Sequence, residues 1–236
     1  MKNPLIAVTL ALTFAIGVQA AETKGNTAIH PAPRDAKWVA RHDGFVAIAK
    51  KGGVELLFIG DSITDGWRGS GKAVWEKDFT PIKAANFGIG GDQTQHLLWR
   101  LQNGELDGIK PKLAVLMIGT NNLYGNKDGE IVDGIKAIIK ELKTKTPSTR
   151  LLLLGIFPRG VKANDPSRVR IKHINSAIAK LDDGGKTIKY LDIGDKFLEA
   201  DGTLPKSIMP DALHPNAHGY EIEAEAILPA IKEMMK

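Results

Sequence analysis

Four short stretches of this chain carry residues that could do chemistry together: Gly60-Asp61-Ser62, Gly90-Gly91-Asp92, Gly119-Thr120-Asn121-Asn122 and Asp211-Ala212-Leu213-His214. Ser62 is a candidate nucleophile once a base takes its hydroxyl proton. His214 can be that base. Asp211, three residues earlier in the same loop, can hold the far ring nitrogen and support the imidazolium. Gly91 can bring a backbone N–H close to a developing oxyanion, because no Cβ intervenes. Asn121 can donate from its side-chain amide, and the Ser62 N–H is a third donor. Nucleophile, base, orienter and oxyanion donors are the parts that acyl transfer to water requires.

Each part also has a plainer use. Asp61 and Ser62 are common helix caps. Gly90-Gly91-Asp92 would serve as a turn and helix start, and Asn121 could hold its own loop. His214 before Pro215 could open a helix with Pro at its first position. His214 and His218 stand at i, i+4, but no Glu occupies the place a helical zinc motif needs, so neither metal nor cofactor is expected. His30, His42, His96 and His173 read as surface or packing residues. Gly60 to Gly66 could cradle a phosphate in a binding module, yet the Gly-Lys-Ser/Thr phosphate loop is missing from the sequence. A catalytically silent subunit, dimerising through a sheet edge, is a further reading. What favours chemistry is the joint occurrence of the four stretches at four element ends.

The elements that must position them follow from hydrophobic pattern. Val54 to Ile59 is an apolar run long enough for one buried strand and too short for a core helix, and it breaks at Gly60. Ala84 to Phe87, Leu113 to Ile118, Arg150 to Phe157 and Ile188 to Ile193 read as four more strands. Helical spacing is expected over Trp38–Lys50, Thr94–Leu101, Glu130–Leu142, Pro166–Leu181 and Tyr220–Met235, with a short helix at Trp75 and Phe79 ended by Pro81. Strands alternate with helices, which predicts an α/β fold with a parallel sheet covered on both faces. In such a sheet the loops after the strands lie on one edge, where ligands bind.

At 236 residues, with 43% hydrophobic and 25% charged residues, the chain suits one globular domain. The formal charge of +5 is dispersed, without a basic block, so no nucleic-acid partner is expected. There is no Cys, which excludes disulfides, a thiol nucleophile and thiolate metal sites. Lys2, the apolar stretch Leu5 to Val18 and the small-residue site Val18-Gln19-Ala20 form the pattern of a secretory signal over residues 1–20. That stretch falls short of the roughly 20 residues a membrane span needs, and no other segment could span. The expected organisation is a signal at 1–20, a polar and mobile arm at 21–37 carrying Pro31 and Pro33, and one domain at 38–236. The protein is expected to be secreted or periplasmic.

The four stretches resemble the blocks of the SGNH, or GDSL, hydrolases. The resemblance extends to the catalytic subunits of platelet-activating-factor acetylhydrolase through Asn86-Phe87-Gly88-Ile89-Gly90-Gly91-Asp92, Leu98-Trp99-Arg100-Leu101, Asn103-Gly104-Glu105-Leu106, Gly119-Thr120-Asn121-Asn122 and Pro158-Arg159-Gly160. It covers roughly Trp38 to the C-terminus. It implies a flavodoxin-like three-layer α/β/α sandwich with a five-stranded parallel sheet in the order 2-1-3-4-5. It implies Ser62, Asp211 and His214 as the triad, with Ser62, Gly91 and Asn121 as the oxyanion hole. By the same resemblance Ile63 and Leu213, the immediate neighbours of nucleophile and base, close the acyl pocket. The signal pattern is similar to secreted bacterial relatives, several of which deacetylate carbohydrates. The expected activity is therefore removal of short acyl groups, acetyl above all, from a carbohydrate or small ester. A lysophospholipase or thioesterase with a wider acyl groove is the alternative, and a homodimer is compatible with the family.

Overall fold

The computed structural model describes residues 25–236. The signal read at residues 1–20 and the first residues of the arm lie outside the described residues. Five strands form one parallel sheet: β1 (Leu56–Gly60), β2 (Ala84–Gly88), β3 (Leu113–Met117), β4 (Arg150–Leu154) and β5 (Ile188–Leu191), in the order β2-β1-β3-β4-β5. The main helices are α1 (Ala36–Lys51), the short α2 (Ser62–Asp65), α3 (Thr94–Arg100), α4 (Asp128–Lys145), α5 (Pro166–Ile178) and α6 (Ala217–Met234). This is the three-layer sandwich and strand order that the resemblance implied.

The apolar strands work by alternation even where the run is continuous. Successive side chains of a strand point to opposite faces. Leu57, Ile59, Ala114, Leu116, Leu151 and Leu153 therefore enter one core, with α1, α3, α4 and α5. Leu56, Phe58, Leu113, Val115, Leu152 and Leu154 enter the other, with Trp67, Tyr220, Ile227 and Ile231. Burial of each such side chain contributes about 1.5–3 kcal/mol, so the sheet is stabilised far from its polar edge.

Register brings the chemistry together. Gly60 pairs with Gly88 on β2 and with Met117 on β3. The three strands thus end level, and β1 lies between the other two. Ser62 leaves the sheet with the Gly90-Gly91 loop on one side and the Thr120-Asn121 loop on the other.

Several expected boundaries move. Strand pairing on β4 stops at Leu154, not Phe157, and on β5 at Leu191, not Ile193. Ile156, Phe157 and Ile193 are still buried; their apolarity reports burial rather than pairing. Pro81 does not end the Trp75–Phe79 segment. It sits inside a tighter turn, Thr80–Ile82, at a position that needs no N–H donor, and the chain turns away at Lys83 in the left-handed region. The described part of the polar arm is tied to the domain rather than free. Ala28 is buried, its carbonyl accepts from Thr94 Oγ1 at 2.9 Å, and Thr27 Oγ1 accepts from Asn126 Nδ2 at 2.8 Å.

Candidate active site

Ser62 sits at the first position of α2, directly after β1. Gly60 makes this turn because there is no room for a side chain. A Cβ there would lie 2.3 Å from Met117 O and from Thr64 Oγ1. The reason is close approach of the Met117 backbone and the Thr64 side chain. Asp61 caps the helix, its carboxylate accepting from Ile63 N–H at 3.0 Å. The capping reading of Asp61 and the nucleophile reading of Ser62 therefore coexist. The Asp61 side chain already occupies the helix start, which leaves a poor cradle for phosphate. Below α2, Tyr220 donates its hydroxyl to Ile63 O at 2.6 Å and Asn86 Nδ2 donates to Thr64 O at 2.8 Å, so the turn is pinned from both faces.

His214 reaches Ser62 from the loop before α6. Its Nε2 lies 2.8 Å from Ser62 Oγ, and its Nδ1 lies 2.6 Å from Asp211 Oδ2. The other Asp211 oxygen accepts the backbone N–H groups of His214 at 2.8 Å and Leu213 at 3.1 Å. Burial works to raise the Asp211 carboxyl, but the His214 ring and these N–H groups outweigh it and hold the acid below its ordinary range. Asp211 thus stays ionised beside the imidazole and fixes it with Nδ1 protonated and Nε2 facing the serine. His218 points elsewhere, toward Glu221 Oε2 at 3.1 Å, and His214 lies outside the helix. The two are not a metal pair, and among the described residues no cluster of three or more His, Cys, Asp or Glu is placed to hold a metal ion.

The oxyanion donors expected from the sequence line the same edge. The Ser62 N–H is at the first helical position, where no intrahelical partner exists. Gly91 has φ +78, a backbone conformation that L side chains rarely adopt. Asn121 uses one Nδ2 proton on Asp92 O at 2.9 Å, which leaves the second free, while Gln93 Nε2 donates to Asn121 O at 2.9 Å. Neighbouring Asn122 is fully buried and does a different job. Its Oδ1 accepts from Thr94 N–H, and its Nδ2 lies within 3.1 Å of Thr94 Oγ1, Gln95 Oε1 and Asn126 Oδ1.

Behind this loop lies a buried charge network that the sequence did not reveal as such. Arg100 gives Nε to Asp92 at 2.9 Å and Nη1 to both oxygens of Glu105 at 2.6–2.7 Å. Its Nη2 reaches Gly60 O at 3.3 Å, which ties it to the nucleophile strand. All three side chains are fully buried. Burial disfavours the Arg100 charge, but Glu105 and Asp92 outweigh it and raise its pKa. Trp38 Nε1 donates to Asp92 at 2.7 Å, and Arg34 of the arm donates to Gly90 O at 2.8 Å and to Asp92 at 3.2 Å. His42 and His96 are packing residues with partners: His42 meets Glu105 at 3.1 Å, and His96 accepts the Gln93 N–H at 3.0 Å.

The two residues expected to close the acyl pocket separate. Leu213 is half-buried and lines a cleft of about 510 Å³ together with Asp211, Tyr124 and Arg159. Ile63 is 1% exposed, belongs to the core under α2 and lies outside the Leu213 cleft. One residue along a helix turns a side chain by about 100°, so the neighbour of the half-buried Ser62 faces the sheet.

The model of the GDSL-like lipase/acylhydrolase family matches residues 58–222. The chain is 38% identical over 194 residues to platelet-activating factor acetylhydrolase IB subunit alpha1 of Homo sapiens, covering 82% of each chain. Among solved structures it resembles a GDSL-like lipase of Bacteroides thetaiotaomicron, with a TM-score of 0.61, 20% identity and coverage of 84% of this chain and 96% of that one. It also resembles Axe2, an acetylxylan esterase of Geobacillus stearothermophilus, with a TM-score of 0.62, 20% identity and coverage of 76% and 94%. At those identities the two structures share the fold.

Proposed function

This chain belongs to the GDSL-like lipase/acylhydrolase family, and from that premise we propose that it is an ester hydrolase that removes short acyl groups, chiefly acetyl, through an acyl-enzyme on Ser62. The observation that carries the reading is the unbroken line Ser62 Oγ, His214 Nε2, His214 Nδ1, Asp211 Oδ2, with contacts of 2.8 and 2.6 Å. In this reading His214 takes the Ser62 proton as Oγ attacks the ester carbonyl. The tetrahedral oxyanion faces the N–H groups of Ser62 and Gly91 and the free amide proton of Asn121. His214 then protonates the leaving alcohol, and the same base activates water to release the acid.

Two of the three relatives, the acetylhydrolase subunit and the acetylxylan esterase, are named for the acetyl group, which supports acetyl as the acyl part. For the alcohol part we favour a carbohydrate or small ester. Tyr124 is 80% exposed, and Arg159 lies against it, its Nη2 2.6 Å from the phenol oxygen and its guanidinium 5.0 Å from the ring centre. This aromatic face beside the Leu213 cleft suits the flat side of a sugar ring. Export through residues 1–20 completes the reading and is checked by N-terminal sequencing of the secreted protein. Among the described residues no helix is long and apolar enough to cross a membrane.

A fluorophosphonate probe tests the nucleophile. Labelling should fall on Ser62 and vanish in Ser62→Ala; persistence of the label in that variant refutes the assignment. A series of p-nitrophenyl esters from acetyl to decanoyl tests the acyl part. The ratio kcat/KM should peak at acetyl and fall steeply by hexanoyl, and Leu213→Ala should shift it toward longer chains. An optimum at octanoyl or beyond favours the lysophospholipase alternative.

A further inference from the structure

The cleft that contains Ser62 is small, about 440 Å³, and its walls are Arg41, Asp65, Gly66, Arg68 and Gly69. Two guanidiniums face one carboxylate there. Arg41 Nη2 and Arg68 Nη1 both donate to Asp65 Oδ1, the second at 2.7 Å. The other Asp65 oxygen takes the Gly90 N–H at 3.3 Å. Arg68 is further committed to the backbone at Asn86 O and Gly88 O. Arg41 is not: its Nη2 adds only a long contact to Gly88 O at 3.5 Å, its Nε and Nη1 make no hydrogen bond among the described residues, and its side chain is 38% exposed. Arg34 adds a third guanidinium on the Gly90-Gly91 side, and its own partner Asp92 is fully buried and already bonded to Arg100 and Trp38. The rim of the nucleophile cleft therefore carries unspent positive charge and unused planar donors within reach of anything bonded to the ester oxygen.

We propose that the alcohol part of the substrate carries an anionic group, a carboxylate, sulfate or phosphate, held by the unused donors of Arg41 beside Ser62, with Arg68 adding charge to the same rim. This rests on Ser62 being the nucleophile and on a small acyl group, which leaves the charge no place except on the alcohol. Guanidinium forks match such oxyanions in bidentate geometry. The same charges steer an anionic ester toward the cleft.

The test compares kcat/KM for aryl acetates of matched shape, each normalised to its own hydroxide-catalysed rate: 4-acetoxybenzoate, 4-acetoxybenzenesulfonate, 4-acetoxyphenyl phosphate, neutral phenyl acetate and the 4-trimethylammonio ester. The wild type should prefer the best anion over the cation by on the order of tenfold at low salt, with the preference shrinking as salt screens it. The ranking of the three anions tells a uronate-like, sulfated or phosphorylated alcohol apart. Arg41→Gln should bring the ratio toward one, and Arg41→Lys should restore part of it. Because Arg68 also supports backbone, Arg41 is the cleaner probe. A wild-type ratio near one, or an Arg41→Gln loss that is uniform across all five esters, overturns the proposal. Turnover of phenyl acetate that depends on Ser62 would survive that outcome, whereas its persistence in Ser62→Ala would overturn the esterase reading instead.

Discussion

The two sides of the proposed catalytic edge are built in opposite ways. The base side is local and wet. Asp211 and His214 are three residues apart in one loop, bonded to each other and to their own backbone, with side chains 56% and 41% exposed. The oxyanion side is long-range, and its support is dry. Gly91 and Asn121 lie in loops after different strands, and the loop that carries Gly91 rests on the side chains of Asp92, Arg100 and Glu105, none of which touches solvent. The difference matches what each side must do. A base needs one short contact and freedom to exchange protons with water. An oxyanion hole acts only if its dipoles are already fixed where charge develops, and here the fixing falls to buried ions and to Asn122.

If that contrast is correct, the two sides should fail differently when broken. The largest loss of stability should come from Arg100→Met, which leaves buried Glu105 with only His42 beside it and buried Asp92 with only the half-exposed Arg34 as counter-ion. Removing one partner of a buried pair costs about 3–5 kcal/mol, to be read from urea unfolding. A cost near zero would show that the network is dispensable. Asn121→Ala should next lower kcat by roughly 100-fold with KM little changed and stability nearly intact, because its free proton meets charge that exists only in the transition state. Asn122→Ala should do the reverse, costing about 1–3 kcal/mol of stability by orphaning buried partners, with a smaller change in kcat. Kinetics and melting curves on the two variants separate these roles.

The smallest effect concerns pH and lies under the nucleophile turn. Burial pushes the Asp61 carboxyl up to about 7, and burial pushes Glu223 up to about 8, partly opposed by the Trp67 indole beside it. Both acids bind protons more tightly folded than unfolded, so their contribution is full below the ordinary carboxylate range and is lost as pH rises through these values. His96 acts the other way below about pH 6.5, since burial first, then Arg34 and Arg100, depress it to about 4. The clean window is therefore about pH 6.5 to 8, where the melting temperature should fall with rising pH. Glu223→Gln should flatten that slope; an unchanged slope would show that Glu223 does not hold its proton in the fold.

How much of this was legible in the sequence divides along the same line. The base side was, because Asp211, Leu213 and His214 are neighbours in the chain and their geometry is set within one loop. The strands and Ser62 were, because an apolar run ending at Gly60 is a local signal. The buried support was not. Arg100 falls in the expected helix Thr94–Leu101 and Glu105 just beyond it, and nothing in their spacing names Asp92 as the third member. The docking of residues 25–35 was missed for a related reason: a stretch with two prolines and few apolar residues gives no periodicity, yet Ala28 and Arg34 find specific partners. Ile63 shows the limit of adjacency, since residues next to each other in sequence face different ways on a helix.

The account turns on Ser62 and His214 acting as one unit. The direct measurement is kcat/KM for p-nitrophenyl acetate in Ser62→Ala, His214→Ala and the double variant, with folding of each checked by its melting curve. Each single change should cost about 10⁴-fold or more, and the double variant should be little worse than either, because removing one member already disables the other. Losses that multiply in the double variant, or a His214→Ala enzyme within tenfold of wild type, would contradict a shared nucleophile and base.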